Sequence, residues 1–250
     1  MRESLLVCAL LFCLMAEGVT ENRKDGKVVY RYHGNVEEVL LDSLKAAMPL
    51  FKGMATLKRE TEGLRENMSV AAEPLRAGRK RLDGTEIAER RRESVLLMSK
   101  YLRQTTRPEE VSTWASAVVV TADGVCVTNY HVLRELIDTA ATLNVRDSLL
   151  FASSESGRVY PIRRVLSYNR AADLAFFEID TRGDELEPMP LGGDLPAGAE
   201  VWTLTNPCGY PWSVTSGVVS RAEISDMEDL FPAAGNHSGF CQGVEWRADS

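Results

Sequence analysis

Cysteine is scarce in this sequence, and its scarcity excludes a disulfide-rich scaffold. Five cysteines occur in 250 residues, and two of them, Cys8 and Cys13, lie in an apolar N-terminal segment. Cys126, Cys208 and Cys241 remain, and an odd number of thiols cannot all pair within one chain. Their spacing also fits none of the usual zinc-binding patterns. We therefore expect three free thiols, no metal site and no cofactor.

Long apolar runs and an excess of positive charge are also missing. No apolar run reaches the roughly 20 residues that a transmembrane helix needs. The formal net charge is −7, which makes the chain a poor partner for nucleic acid or anionic lipid. The basic runs at 76–81 and 89–94 lie in segments with helical character, where a solvated helix face is their ordinary interpretation. We therefore expect no nucleic-acid partner and no stable membrane span.

The N-terminus has the pattern of an export signal. Arg2 supplies a positive charge, and the apolar stretch from Leu5 to Ala16 follows it. Ala16 and Gly18 are small residues at the spacing that a signal peptidase requires, which predicts cleavage after Gly18. Residues 1–18 are therefore predicted to be a signal peptide, and the mature protein to be periplasmic or extracellular. A buried N-terminal helix is the alternative interpretation.

The next part of the chain, residues 19–107, is predicted to be largely helical. A helix is expected to start near Asn35 and to end or kink at Pro49. An apolar seam over 57–82 follows steps of four and three residues, and a third helix is expected over 85–104. These elements would form a helical hairpin that packs on itself or on the following domain. Self-association through this region is the alternative.

The pattern changes after Pro108, where short apolar segments alternate with turn residues. The stretch "WASAVVVTADGVCVTNYHV" is typical of strand, turn and strand, with a hairpin signal at its Asp-Gly pair. Several more short strands follow, and helical character is confined to a turn after His131. Many short strands with little helix predict an antiparallel barrel or sandwich for residues 108–250.

His131 and Asp173 are the candidate functional residues of this β-rich part. His131 is one of three histidines in the chain, and Asp173 immediately precedes the strand segment "LAFFEI". Imidazole accepts protons near neutral pH, and a carboxylate beside it fixes the tautomer of the ring. Taken singly, each residue also fits an ordinary role, as a packed histidine at a strand end and as a turn aspartate.

Three segments in order resemble the HtrA/Deg branch of the trypsin-like serine proteases. They are "VVVTADGVCVTNYHVL", "VLSYNRAADLAFFEID" and "LGGDLPAGAEVWTLTNPCGYPWSVTSGVVS", which span residues 118–220. The resemblance implies a mainly β, chymotrypsin-like double β-barrel that hydrolyses peptide bonds in polypeptide substrates. It carries His131 over as general base and Asp173 as its orienting carboxylate, with a ring nitrogen about 2.6–3.2 Å from the carboxylate. Asn206, Pro207 and Gly209 match a loop pattern without an assigned chemical role.

The family's nucleophile motif has no good match within the 250 residues. The nucleophile normally follows a strand that ends in Ala-Asp, and "VEWRADS" resembles that strand but ends at Ser250. Ser238 lies in "GNHSGF", where His237 interrupts the motif, so both serines are poor candidates. We therefore expect the nucleophile just beyond residue 250, an incomplete second barrel and little activity in residues 19–250 alone. A non-catalytic binding module is the alternative.

The first prediction concerns the thiols. The strands expected over 213–221 and 243–249 should pair antiparallel, which places Cys208 and Cys241 at opposite ends of one ladder. At about 3.4 Å per residue they would lie roughly 20 Å apart, whereas a disulfide needs Cα atoms within about 7 Å. Intact-mass analysis of residues 19–250 after labelling under denaturing, non-reducing conditions should show three labels. A single label would contradict the prediction.

Overall fold

A computed structural model describes most of the chain between residues 36 and 220. The described residues are 36–78, 80, 82–103, 109–141, 148–193, 195–206 and 211–220. The predicted signal peptide, the predicted strand 243–249 and the residues Cys208, Cys241, Ser238 and Ser250 lie outside them.

Four α-helices occur among the described residues. They are α1 (Val36–Ala47), α2 (Met54–Thr61), α3 (Gly84–Arg90) and α4 (Tyr130–Ile137). A 3-10 turn at Met48–Leu50 follows α1 and contains Pro49, so the first helix ends where the sequence predicted. No helix among the described residues is long and apolar enough to cross a bilayer.

Six strands form a closed antiparallel barrel. They are β1 (Val95–Leu102), β2 (Glu110–Val119), β3 (Val125–Thr128), β4 (Leu149–Ser153), β5 (Val159–Asn169) and β6 (Leu174–Ile179), in the order β1-β2-β3-β6-β5-β4. Two further strands, β7 (Glu200–Thr205) and β8 (Ser213–Val218), pair as a separate antiparallel sheet. The expected mainly β fold class is confirmed, and β7 and β8 fall in the part of the chain where the second barrel was expected.

Two of the predicted helical segments are wrong. Residue 62 leaves the helical conformation after α2, and Gly63 follows at φ +85°, so no helix continues along 57–82 among the described residues. The helix predicted over 85–104 is only the short α3 followed by strand β1. The barrel therefore begins at Val95, ahead of the boundary expected at residue 107.

The physical reason for the second error is the burial of β1. Residues Val95 to Met98 are all buried, because β1 pairs with β2 on one edge and β4 on the other and packs on both faces. A strand buried on both faces reads as a continuous apolar run, which has no period of two to distinguish it from a helix. The apolar residues over 57–82, spaced in steps of four and three, also favoured a helical interpretation of the segment that follows them.

Helix α2, which precedes the barrel, packs onto it. Met54 and Leu57 of α2 belong to the same apolar core as the barrel interior. The Met54 amide donates to the Ser148 carbonyl at 3.0 Å, and the Lys58 ammonium donates to the Asp138 carbonyl, just after α4, at 2.9 Å. Of the arrangements left open by the sequence, packing on the following domain is the one that these contacts show.

The barrel interior is filled by apolar side chains from the strands and from α4. Cys126 on β3 is fully buried there, as expected, and burial raises the pKa of its thiol. The largest side chains of the interior include Phe177, Ile162, Leu133 and Met98. Five residues, 120–124, join β2 to β3, and Gly124 at their end lies against β6.

The close approach at Gly124 gives a stability prediction. Gly124 has φ +108°, and a Cβ atom there would lie 2.7 Å from the Ile179 carbonyl oxygen. Gly183 has a comparable φ of +89° with open space around it, so it is a matched control. Both substitutions to alanine strain the backbone, but Gly124→Ala should cost about 1–3 kcal/mol more through overpacking. Urea unfolding of both variants measures this difference, and equal losses would contradict the prediction.

Candidate active site

His131 stands at the start of α4, on the outward side of that helix. Strand β3 ends at Thr128, Asn129 is the extended N-cap residue, and α4 begins at Tyr130. The opposite face of α4 buries Val132, Leu133, Leu136 and Ile137 against the barrel. The His131 side chain is therefore held on a well-packed helix while 55% of its surface remains exposed.

Asp173 lies in the turn between β5 and β6, directly opposite that helix start. Strand β3 pairs antiparallel with β6, and Thr128 is opposite Ala175. The residues after β3 therefore lie beside the residues before β6. The Tyr130 amide continues the pairing by donating to the Asp173 carbonyl at 3.0 Å. Asp173 itself adopts φ +50°, a left-handed conformation that aspartate tolerates better than most residues.

Both carboxylate oxygens of Asp173 are bonded to His131. The ring Nδ1 lies 2.8 Å from Oδ2, within the distance expected from the sequence. The backbone amide of His131 donates to Oδ1 at 3.0 Å. The pair is partly screened from solvent, because 27% of the Asp173 side chain is exposed. A carboxylate that engages both the ring and the backbone of one residue restricts rotation of that ring.

Asn129 completes the pairing and was not identified from the sequence. Its side-chain amide donates to Asp173 Oδ2 at 3.1 Å and to the Asp173 carbonyl at 3.2 Å. Asn129 is an N-cap residue, but its side chain makes no capping bond to the helix. The amide group is directed to the carboxylate instead. The sequence signal that could have identified Asn129 is its place two residues before His131 in the "TNYHV" segment.

A segment ahead of the barrel supports the turn that carries Asp173. The Arg170 amide donates to Glu66 Oε1 at 2.7 Å, and the Asn67 amide donates to the Tyr168 carbonyl at 2.9 Å. The side-chain amides of Asn169 and Asn67 are joined at 2.7 Å. Glu66 and Asn67 lie outside the three segments of the family resemblance. The chain before the barrel therefore contributes directly to the shape of the candidate site.

An aromatic pair lies beneath the same turn. The rings of Tyr130 and Tyr168 are 5.6 Å apart between centroids, and the Arg170 guanidinium lies 5.5 Å and 5.9 Å from their centres. Burial raises the pKa of the Tyr130 hydroxyl. Because Tyr130 is the first residue of α4 and Arg170 belongs to the Asp173 turn, this cluster joins the two elements of the site by packing as well as by hydrogen bonds.

Asn206 has a structural role, because its hydrogen bonds join two parts of the fold. It is buried after β7, where its amide and its side-chain Nδ2 both contact Ser116 Oγ at 3.0 Å. Its Oδ1 accepts from the Trp212 amide at 2.7 Å, and the Trp212 indole donates to the Val95 carbonyl at 3.0 Å. These bonds attach the β7–β8 sheet to the first barrel. Pro207 and Gly209 lie outside the described residues.

The arrangement has the components of a general base. The Nδ1 atom faces the carboxylate, which places Nε2 on the far side of the exposed ring, where it can accept a proton. Both serines weighed from the sequence lie outside the described residues. Within the described residues, no group of three or more histidine, cysteine, aspartate or glutamate side chains could hold a metal ion.

Comparison with known proteins shows the family of the chain. The family model of the trypsin-like peptidase domain matches residues 115–241, just over half of the chain. Protease Do-like 1 of the Arabidopsis thaliana chloroplast is 34% identical over 114 residues, which are 44% of this chain and 23% of that protein. A probable periplasmic DegP-like serine endoprotease of Pseudomonas fluorescens is 28% identical over 116 residues, 46% of this chain and 21% of that protein.

One solved structure aligns with part of the chain. The HtrA-type protease AlgW with a decapeptide aligns at a TM-score of 0.44 and 20% identity, covering 56% of this chain and 46% of that one. The present chain spans less than a quarter of the length of the two relatives compared by sequence. On the match of the family model, the chain belongs to the trypsin-like peptidase domain family and is homologous to the HtrA/Deg proteases.

Proposed function

We propose that this chain supplies the base and carboxylate of an exported serine endopeptidase that cleaves polypeptides. His131 is the general base, and Asp173 orients its ring. The observation that carries the proposal is the 2.8 Å contact between His131 Nδ1 and Asp173 Oδ2, reinforced by the 3.0 Å bond from the His131 amide. A second carboxylate contact to the same residue is more than a surface ion pair requires.

The proposed chemistry follows from the tautomer that this contact favours. A neutral imidazole that donates its Nδ1 proton to Asp173 has its lone pair on Nε2. Nε2 removes the proton from a serine hydroxyl as that oxygen attacks the substrate carbonyl. The Asp173 carboxylate then stabilises the imidazolium cation that forms, and the same cation donates its proton to the leaving amine. The ring therefore needs to keep one orientation through both transfers.

The nucleophile is proposed to be a serine in a G-x-S-G-G turn after the Ala248–Asp249 pair. This placement follows the family pattern, in which the motif comes after a strand that ends in Ala-Asp. The amides of that turn would form the oxyanion hole. Export is proposed on the signal-peptide pattern of residues 1–18. One relative is described as periplasmic and another as chloroplastic.

The principal test is replacement of the base in the full natural protein that contains this chain. His131→Ala should lower the kcat for casein cleavage by about 10⁴-fold or more, because the serine then loses the base that deprotonates it. Arg134→Ala is the matched control, since Arg134 is exposed on the same helix. Its activity should stay within about twofold. Circular dichroism and thermal melting should show that both variants remain folded.

The outcomes of this test separate the candidate functions. Cleavage that survives in His131→Ala would place the base elsewhere and refute the assignment. An unmodified protein that folds but cleaves neither casein nor unstructured peptides would instead favour a non-catalytic binding module.

A second prediction concerns Asn129, which acts here as a positioning residue. Asn129→Ala removes the side-chain bond to Asp173 Oδ2 and leaves the bonds of His131 in place. We expect kcat to fall about 10–100-fold, because a small displacement of the carboxylate misdirects the ring. Proton NMR gives an independent measurement: the downfield Nδ1 proton of a histidine bonded to carboxylate should broaden in the variant. An unchanged resonance with unchanged kcat would refute this role.

A further inference from the structure

Residues 58–67, which run from helix α2 into the coil after it, contact both elements that carry the His131–Asp173 pair. We call this segment the pre-barrel clamp. One of its ends contacts the end of helix α4, and the other contacts the turn between β5 and β6. The clamp precedes residues 115–241, the part of the chain that the family model matches. Its contacts to the site therefore come from outside the matched domain.

The first end of the clamp holds helix α4, whose second residue is His131. Lys58 Nζ donates to the Asp138 carbonyl at 2.9 Å and also donates to the Ala141 carbonyl. Helix α4 ends at Asp138, so the ammonium group lies at the negative end of the helix dipole. Leu57, the neighbour of Lys58, is buried in the same apolar core as the inner face of α4. The helix is thus held both by a charge at its end and by apolar packing.

The second end of the clamp holds the turn that carries Asp173. Glu66 Oε1 accepts from the Arg170 amide at 2.7 Å, and the Arg170 carbonyl accepts from the Asp173 amide at 3.1 Å. Two successive bonds therefore connect the Glu66 carboxylate with the backbone of Asp173. A hydrogen bond to a carboxylate is stronger than one between neutral groups. Asp173 needs such support, because its φ of +50° lies in a region that residues other than glycine seldom adopt.

Asn67 makes a second connection to the same turn. Its Oδ1 accepts from Asn169 Nδ2 at 2.7 Å, and Asn169 Oδ1 accepts from the Ala172 amide at 2.7 Å. The Asn67 amide also donates to the Tyr168 carbonyl at 2.9 Å. Together with the bond from Glu66, these contacts attach the clamp to three consecutive residues, 168–170.

Arg170 links the clamped turn with the helix. Its amide is held by Glu66, while its guanidinium lies 5.5 Å from the ring centre of Tyr130, the first residue of α4. A shift of the turn would move Arg170 away from that ring and would move the Asp173 carboxylate at the same time. The relative position of the base and its carboxylate therefore depends on bonds made outside the pair itself.

We propose that the pre-barrel clamp positions the His131–Asp173 pair, and that Glu66 and Asn67 are positioning residues of the proposed reaction. They hold the β5–β6 turn in the conformation from which the Asp173 carboxylate reaches the imidazole ring. The inference rests on the proposed function, because the clamp affects cleavage only if His131 is the base. It adds that cleavage depends on a segment outside the matched peptidase domain.

The test measures kcat and KM separately in the full natural protein and in variants of the clamp. Glu66→Ala should lower kcat about 5–20-fold and change KM less than about twofold, because a displaced carboxylate misdirects the ring without altering substrate contacts. Glu66→Gln keeps an oxygen that accepts from the Arg170 amide, so it should restore most of the lost rate. Glu62→Ala is the matched control, since Glu62 is an exposed glutamate of the same segment.

A resonance and a second variant separate positioning from a loss of stability. The downfield Nδ1 proton of His131 should broaden in Glu66→Ala and stay sharp in Glu66→Gln. Asn67→Gly removes the side-chain bond to Asn169, and glycine tolerates the left-handed backbone at this position, where φ is +59°. This variant should lower kcat about 3–10-fold with KM unchanged. It decides the question if Glu66→Ala does not fold.

The outcomes distinguish this inference from the proposed function. An unmodified protein that cleaves, with kcat and the Nδ1 resonance unchanged in Glu66→Ala and Asn67→Gly, would overturn the inference and leave the function intact. A loss of the same size in Glu62→Ala, or one that Glu66→Gln does not restore, would also overturn it. If the unmodified protein does not cleave, the proposed function fails and the resonance alone decides. Broadening in Glu66→Ala but not in Glu66→Gln then supports the clamp, and no change overturns it.

Discussion

The carboxylate of Asp173 is the group on which the arrangement of the site depends. It accepts from the ring and the backbone of His131 and from the side chain of Asn129, while the Asp173 carbonyl accepts from the Tyr130 amide. These bonds attach the β5–β6 turn to the first residues of α4. A charge that is half-buried must be satisfied by donors, and here the donors are the consecutive residues that orient the imidazole.

Strand pairing within the barrel brings the two partners of this contact together. Antiparallel pairing of β3 with β6 places the end of one strand beside the start of the other, so Asn129 and Asp173 face each other although 44 residues separate them. The chain before the barrel then reinforces the arrangement, through α2 against α4 and through Glu66 and Asn67 against the Asp173 turn. The preceding region is therefore part of the architecture of the site.

The same packing explains where interpretation of the sequence succeeded and where it failed. The amphipathic pattern of α1, the hairpin at Gly124 and the alternating burial of β6 are local signals, and all three were interpreted correctly. Strand β1 failed because both of its faces are buried, which removes the alternation by which a strand is recognised. Asn129 was overlooked because its local signal is a spacing from His131, whereas the carboxylate that its amide bonds lies 44 positions away.

The sequence by itself determined the mainly β class, the family and the two residues of the His131–Asp173 pair. Short motifs encode those features, and the order of the motifs along the chain can be recognised without knowledge of the fold. Only the tertiary structure decided that β1 is a barrel strand, that Glu66 and Asn67 support the aspartate turn and that Trp114 borders a pocket beside His131. Each of these depends on contacts between segments far apart in the chain, and the free energy of such contacts comes from closing the barrel rather than from any local preference.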